Sequence, residues 1–284
     1  MNFLVDDFLV YVCVHIPSSI LPRWLLPDIP MIQVMLGPDC NLSHFQTVVI
    51  FILPDWCYHR IVEDVAKLLP TQSTRRTVKK RSILVYQGEV PRQAYIVISG
   101  SFKTYRLSNN GEEQIVGFRT KGDIFSESWL FGKTSSALYY YEALEDSEVL
   151  TVEKPVLLEL IKDNKEIGRL MFEYLATGYT SMLMQITALE QSRAAEKLLM
   201  MMYYLMFRYG KQVKPNIYRV DLRLTHTTLG SLMGLTRETT TMELVRLKRK
   251  KIIAYDSKGY DIYRHELERR LNDESFTSLH LQND

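Results

Sequence analysis

The run from residue 225 to residue 248 constrains the fold more than any other segment, because it predicts two short helices joined by a tight turn. A hydroxyl residue precedes each helix, Thr225 the first and Thr236 the second, and such residues cap helix N-termini. Gly234 stands in the turn, where a left-handed backbone is needed. The pattern indicates a helix-turn-helix, although the residues alone equally allow an αα-hairpin in an all-helical core.

The second of these helices separates its side chains onto two faces. Leu244, Val245 and Leu247 are expected to face inward. The remaining side chains lie on the outer face, where a recognition helix reads base edges in the major groove of double-stranded DNA. These candidate base-reading residues are Arg237, Glu238, Thr241 and Met242, and Arg246 shares their face.

A β-hairpin is predicted directly after the second helix. Two β-prone runs, residues 252–255 and 260–263, flank a turn that contains Gly259. A helix-turn-helix followed by such a hairpin forms a winged helix, and a basic run stands where the helix ends and the wing begins. The residues expected to contact DNA phosphates are Thr225, Thr227, Arg246, Lys248, Arg249, Lys250, Lys251 and Lys258.

The uneven charge of the chain supports a nucleic-acid partner. Residues 192–271 contain 17 Lys and Arg against 8 Asp and Glu, a balance of +9, whereas the whole chain carries only +2. The rest of the chain is therefore acidic. A basic C-terminal domain on an acidic protein favours DNA binding over a merely solvated surface.

Residues 74–153 predict an antiparallel β-roll or sandwich, because short β-prone runs alternate with Gly and Asn-Gly turns. The runs are Thr77–Val78, Ser82–Tyr86, Ala94–Ile98, Ser101–Leu107, Gln114–Arg119, Ala137–Ala143 and Glu148–Val152.

Helices are predicted around this roll. Amphipathic spacing predicts one over residues 55–69, a short one over 156–161, a long one from Asn164 to about Gln191, and one over 193–209. The long helix carries a continuous apolar stripe, which predicts a homodimer seam. The alternative is that the stripe packs against the roll of its own chain. The residues of the stripe are Leu170, Met171, Tyr174, Leu175, Met182, Ile186 and Leu189.

These patterns predict an α+β protein of five segments. Residues 1–53 are an N-terminal extension, 54–163 the roll, 164–191 the dimerisation helix, 192–271 the winged helix-turn-helix, and 272–284 a tail. The extension has three interpretations: an interaction segment, a weak membrane-surface anchor, or sequence upstream of a later start such as Met31 or Met35, which we favour. No run approaches the roughly 20 apolar residues of a membrane span, so no membrane partner and a cytoplasmic location are expected.

The sequence predicts neither an enzyme nor a metalloprotein. It offers no nucleophile–base pair and no Gly-rich phosphate loop. Cys13, Cys40 and Cys57 are far apart and form no ligand spacing. No catalytic residue, metal or cofactor is therefore expected.

Roll, long helix and winged helix in this order resemble the Crp/Fnr family of bacterial transcription regulators, over about residues 55–270. The resemblance implies a roll like the family's cyclic-nucleotide-binding jelly roll, a homodimer on a roughly palindromic operator, and RNA polymerase as a candidate partner. Several motifs carry it together: Gln87-Gly88-Glu89, residues 94–103, 111–118 and 121–127, and Thr236-Arg237-Glu238-Thr239.

The effector pocket departs from the family pattern. Members that bind cyclic nucleotide use a Phe-Gly-Glu turn, followed by an Arg-Ser pair that holds the phosphate. The turn here is Phe125-Ser126-Glu127, and no Arg lies between Arg119 and Arg169. Since a buried phosphate needs a cation or many amides, cyclic AMP is not the expected ligand, and the effector stays unknown. The Arg-Ser position falls on Ala137-Leu138, or on Ser135-Ser136 if the loop is shorter.

The recognition helix differs from the family pattern at one position, Met242. Arg237 and Glu238 match the family's base-reading pair, which implies contacts to guanine and cytosine. Met242 stands where the family has a second Arg, so a half-site changed or relaxed at one position is expected. Two alternatives remain: a roll that is only a constitutive dimerisation module, and a roll that binds another protein. An aromatic pocket around Tyr139–Tyr141 is a further possibility.

Overall fold

The computed structural model describes residues 65–271, together with the strands β1 (Cys13–Pro17) and β2 (Phe45–Val49), which pair antiparallel. The chain divides after Leu53 into two compact units. Three predictions fall outside the described residues: the other expectations for residues 1–53, most of the helix over 55–69, and the tail. Residues 65–68 of that helix are described and are helical.

Two antiparallel sheets form the roll, as the sequence predicted. The sheet orders are β3-β9-β5 and β4-β8-β6-β7. Apolar side chains from both sheets meet between them, with Phe102, Phe125 and Tyr141 among the largest fully buried ones. The strands are β3 (Ser73–Val78), β4 (Ile83–Val85), β5 (Ala94–Ser99), β6 (Phe102–Leu107), β7 (Glu113–Arg119), β8 (Tyr140–Ala143) and β9 (Ser147–Val152).

One strand prediction was too long. The run predicted as strand over Ala137–Ala143 becomes strand only at Tyr140. Residues 137–139 instead belong to a loop in which Ala137 exchanges backbone hydrogen bonds with Gly88 and Glu89 at 2.8 Å each. Pairing with the irregular segment around Gly88, rather than with a neighbouring strand, ends the regular ladder here.

Helices follow and interrupt the roll. A short helix, α1 (Glu127–Leu130), was not predicted, whereas α2 (Lys154–Asp163) and α3 (Lys165–Glu190) were. The Asn164 side chain accepts hydrogen bonds from the backbone N–H groups of Glu166 and Ile167, both at 3.1 Å, and so caps α3. The next helix, α4 (Ala194–Tyr209), is buried over most of its length.

The C-terminal region is a winged helix. Helices α5 (His226–Met233) and α6 (Arg237–Arg249) pack beside strands β12 (Ile253–Tyr255) and β13 (Tyr260–Tyr263), and α7 (Arg264–Leu271) follows. The sequence prediction missed the hairpin β10 (Gly210–Lys214) and β11 (Ile217–Val220), which completes a sheet of order β10-β11-β13-β12.

Several contacts join the roll to the winged helix. The buried carboxylate of Asp123 in the roll forms an ion pair with Arg208 of α4. The Tyr209 hydroxyl donates to the Phe118 carbonyl at 3.2 Å, and the Ser231 hydroxyl donates to the Glu113 carbonyl at 2.9 Å. The roll therefore contacts α4 and α5, each near its C-terminal end.

Candidate nucleic-acid interface and effector cleft

Both helices of the helix-turn-helix begin at the predicted caps. The Thr225 hydroxyl accepts from the Thr228 N–H at 3.0 Å, and the Thr236 hydroxyl accepts from the Thr239 N–H at 3.2 Å. Gly234 adopts φ 66° at the turn, as its position predicted. These local interactions fix where each helix starts, and they fix the helix orientation at the turn.

The inner faces of the two helices pack closely. A Cβ atom at Gly230 of α5 would lie 2.7 Å from the Leu235 carbonyl oxygen and 2.9 Å from the Thr240 hydroxyl, so only glycine permits this approach. Leu244 and Leu247 are buried, as predicted, and Val245 is half-buried. The packing leaves the opposite face of α6 exposed.

The candidate base-reading side chains on that face differ in how exposed they are. Arg237 and Glu238 are exposed, and within residues 65–271 neither side chain makes an ion pair or hydrogen bond. Met242 is 50% exposed. Thr241 is half-buried, because its hydroxyl donates to the Arg237 carbonyl at 2.8 Å and lies 2.9 Å from His226 Nδ1. No pattern in the sequence indicates this His226 contact, which joins α5 to α6.

The predicted phosphate-contacting residues lie around this face. Thr225, Thr227, Arg249, Lys250, Lys251 and Lys258 are exposed. Two cations already have partners inside the protein: Arg246 lies 2.7 Å from the buried Glu243 carboxylate, and the Lys248 ammonium lies 4.6 Å from the centre of the Tyr255 ring. These contacts hold the two side chains in place but leave both exposed at the surface.

The wing turn is organised by one carboxylate. Asp256 accepts from the N–H groups of Lys258 at 2.7 Å and Gly259 at 2.9 Å, and from Arg219 at 2.8 Å. The Arg219 hydrogen bond, more than any other contact, lowers the pKa of Asp256 to about 2. The turn is thus held in one conformation, with Lys258 at its exposed tip.

A cleft of about 640 Å³ lies between the roll and α3, and Glu127 lines it. The Glu127 carboxylate is already occupied, because Arg119 lies 3.0 Å from it and the Tyr174 hydroxyl donates to it at 2.8 Å. Burial, with help from Glu127 and Asp123, raises the pKa of Tyr174 well above its usual range. The phenol therefore stays protonated and remains a donor.

The other residues of the predicted effector pocket are core or loop residues. Phe125 is fully buried and stacks on Tyr141 at 4.8 Å between ring centres. Ser126 adopts φ 56°, a left-handed conformation that glycine adopts with less strain. In the loop that would hold a phosphate, Ala137 is buried, Ser136 is half-buried, and Ser135 and Leu138 are exposed. None of these side chains is a cation.

Within the described residues, no helix is long and apolar enough to cross a membrane. In the same part of the chain, no three His, Cys, Asp or Glu side chains group as metal ligands would.

Comparison with known families matches both halves of this architecture. Residues 75–164 match the cyclic nucleotide-binding domain, and residues 192–269 match the Crp-like helix-turn-helix domain. The global nitrogen regulator of Nostoc sp. is 25% identical, over 66% of this chain and 84% of that protein. The fumarate and nitrate reduction regulatory protein of Vibrio cholerae is 25% identical, over 80% of this chain and 86% of that protein.

Solved structures share the fold. A CooA mutant from Carboxydothermus hydrogenoformans aligns with a TM-score of 0.60 at 18% identity, over 74% of this chain and 95% of that one. FixK2 from Bradyrhizobium japonicum aligns with a TM-score of 0.57 at 21% identity, over 70% and 96%. Sequence identities this low establish the fold alone.

Proposed function

Because the chain belongs to the Crp/Fnr family of DNA-binding transcription regulators, we propose that it binds a roughly palindromic operator as a homodimer and does not respond to cyclic AMP. The observation that carries this proposal is the exposed outer face of α6, where Arg237 and Glu238 have no partners within the described residues. Such a face is available for base edges in a major groove. DNA binding in turn implies a cytoplasmic location in a bacterial cell.

The homodimer is supported by an apolar stripe along α3. Six residues at alternating spacings of three and four form it, which is the a/d pattern of a coiled coil. Phe172 is 73% exposed and Tyr179 is 60% exposed, so the roll of the same chain leaves the stripe largely uncovered, and five of its six members line the cleft beside the roll. A second copy of α3 would cover it and give each dimer two recognition helices. The stripe consists of Phe172, Leu175, Tyr179, Met182, Ile186 and Leu189.

The stripe proposed here differs from the one predicted from the sequence. Leu170, Met171 and Tyr174 are buried against the chain's own core and are therefore unavailable to a partner. Leu175, Met182, Ile186 and Leu189 are exposed and belong to both sets. The alternative of packing within the same chain thus describes the three buried residues, and the dimer seam is proposed for the exposed residues of α3.

The exclusion of cyclic AMP is supported by the Glu127 contacts. A ribose hydroxyl would have to share this carboxylate with Arg119 and Tyr174. A cyclic phosphate would add a second negative charge near Glu127. The loop of residues 135–138 supplies no cation to balance it, so Arg119, which lines the cleft, would have to serve both anions. These contacts favour a roll that works without a cyclic nucleotide, either with another effector or as a constitutive dimerisation module.

The test is selection of bound duplexes from a random DNA library by the purified protein at physiological salt, without added ligand. We expect an enriched inverted repeat whose half-sites are about 10 base pairs apart, centre to centre. Enrichment of a single unrepeated site would overturn the homodimeric reading. Salt-sensitive binding with no enriched sequence, also in the presence of cell extract, would overturn sequence-specific recognition by α6.

A further inference from the structure

The side chain of His226, the first residue of α5, contacts α6 through Thr241. We propose that His226 is a positioning residue that sets base preference. It fixes the Thr241 side chain so that the methyl group, rather than the hydroxyl, meets a thymine methyl in the major groove. The inference rests on the proposed function, because it requires α6 to lie in that groove.

Thr241 lies among the residues of α6 that would face DNA. It follows Arg237 by four residues, as Met242 follows Glu238, so each pair occupies neighbouring positions on one helix face. Its neighbours on that face are exposed, whereas Thr241 is half-buried. Part of the Thr241 side chain is therefore accessible to a base edge, and which part is accessible decides what it can recognise.

The Thr241 hydroxyl is held by two groups of the protein. It donates to the Arg237 carbonyl at 2.8 Å and lies 2.9 Å from His226 Nδ1. A hydroxyl has one hydrogen and a carbonyl can only accept, so both contacts are hydrogen bonds only when His226 carries a hydrogen on Nδ1. We assign that form of the imidazole on this ground. The Thr241 hydroxyl then has no hydrogen left for the acceptor atoms of a base edge.

The contact with His226 also selects one conformation of the Thr241 side chain. A threonine inside a helix divides between two χ1 conformations, because its hydroxyl can bond to a carbonyl of the preceding turn. A hydrogen bond from His226 stabilises the conformation in which the Thr241 hydroxyl bonds to the Arg237 carbonyl. The methyl group of Thr241 therefore keeps one direction, and threonine methyl groups recognise thymine methyl groups by apolar contact.

The imidazole of His226 is itself held by the wing. It is half-buried, and it meets the Tyr255 ring edge-on, at 5.8 Å between ring centres and 82° between ring planes. Tyr255 ends β12, and the Lys248 ammonium of α6 lies 4.6 Å from the centre of its ring. His226 thus joins α5, α6 and the wing, and it holds Thr241 from a position that is fixed on both sides.

The experiment replaces single thymines of the selected operator with deoxyuridine, which removes only the 5-methyl group. The measured quantity is the uracil penalty, defined as the dissociation constant of the substituted duplex divided by that of the unmodified one. For at least one thymine in each half-site, we expect a penalty of about fourfold in the wild type, the loss typical of one methyl contact. Substitution in both half-sites should weaken binding by about fifteenfold. Thr241→Ser keeps the hydroxyl and lacks the methyl group, so it should abolish the penalty at the thymine that Thr241 contacts.

The variant His226→Phe keeps a ring beside Tyr255 and removes the N–H donor. We expect its uracil penalty to fall from about fourfold to less than about twofold per half-site, because Thr241 then divides between two conformations. A merely structural role of His226 would weaken both duplexes by the same factor and leave the penalty unchanged. The double variant His226→Phe/Thr241→Val is the matched control. It should regain the penalty, because valine in a helix keeps one χ1 conformation and needs no partner to present a methyl group.

The possible outcomes separate this inference from the proposed function. A uracil penalty that is the same in His226→Phe and the wild type would overturn the inference, as would a penalty that Thr241→Ser leaves unchanged. An operator in which no thymine is sensitive to uracil would overturn it while leaving recognition by α6 intact. A wild-type protein that selects no operator would instead overturn the proposed function, before any thymine is replaced.

Discussion

The outer face of α6 and the cleft between the roll and α3 both carry family motifs. They differ in whether the motif side chains already have partners within the protein. On α6, Arg237 and Glu238 extend from the protein and make no ion pair within residues 65–271. In the cleft, Glu127 is present but is bound by Arg119 and Tyr174. The difference teaches that a motif residue predicts binding only when the fold leaves its polar atoms available.

The contacts of Glu127 give this difference a physical basis. A carboxylate that accepts hydrogen bonds from a guanidinium and a phenol in a partly buried site loses both when a ligand displaces them. The residues of α6 lose only water when they meet a base edge. The side chains of α6 are therefore available to a partner without loss of an internal contact, whereas a ligand of Glu127 would compete with Arg119 and Tyr174.

The largest expected effect tests whether the α6 surface works only in a dimer. Ile186→Glu places one carboxylate per chain in the apolar stripe of α3, so a dimer would bury two unpaired charges. We expect the dimer to weaken by more than about 5 kcal/mol and operator binding to disappear. Light scattering after gel filtration measures the mass. Thr180→Glu, on the same helix outside the stripe, is the control and should stay dimeric; a dimeric Ile186→Glu protein would contradict the seam.

The next effect tests the idea that ion pairs inside the protein have structural roles. Arg208→Met leaves the Asp123 carboxylate buried, although the Thr120 N–H still donates to it at 2.7 Å. The free energy of unfolding should fall by about 3 to 5 kcal/mol, because a buried charge has lost its partner. Urea unfolding measures it. The double variant Asp123→Leu/Arg208→Met should recover most of the loss; no recovery would show that the pair itself is not responsible.

A smaller effect is expected at the base-reading surface itself. Arg237→Ala should reduce the preference for operator over random DNA by about 1 to 3 kcal/mol and leave binding to random DNA nearly unchanged. Competition binding at fixed salt measures both affinities. Lys250→Ala, the control, should weaken all sequences about equally and lower the salt slope by about 2, since a dimer presents Lys250 twice. If Arg237→Ala weakened random and operator DNA alike, Arg237 would be a phosphate contact.

The smallest effect restores the family's glycine in the cleft. Ser126 has φ 56°, so Ser126→Gly should relieve left-handed strain and stabilise the fold by about 0.5 to 1 kcal/mol after the entropy that glycine adds to the unfolded chain. Cyclic AMP should still not bind, because Glu127 keeps its partners. Thermal unfolding and calorimetric titration measure the two outcomes. Ser128→Gly, within α1, should destabilise instead; heat of cyclic AMP binding to Ser126→Gly would show that glycine alone opens the site.

Local signals explain what the sequence predicted well. The caps Asn164, Thr225 and Thr236 begin helices where predicted, because a cap bonds to backbone groups only two or three residues away. The hairpin β10–β11 was not predicted, because β10 is largely polar and lacks an alternating apolar pattern.

Long-range pairing explains what the sequence did not predict. Asp123 and Arg208 are 85 residues apart in the chain, and Tyr174 reaches Glu127 from another element 47 residues away. Neither partner can be named from a single sequence, because only the packed fold brings them together. The missing Arg in the 135–138 loop was visible from the sequence, whereas the occupation of Glu127 required the structure.

The most direct test of the account is the affinity of the wild-type protein for its selected operator, measured by fluorescence anisotropy with and without saturating cyclic AMP. We expect one dissociation constant under both conditions, since Glu127 is engaged within the protein and α6 is available without a ligand. A shift of tenfold or more, equivalent to about 1.4 kcal/mol, would show that the nucleotide binds and is coupled to DNA recognition. That result would contradict the contrast between an open DNA surface and a closed cleft.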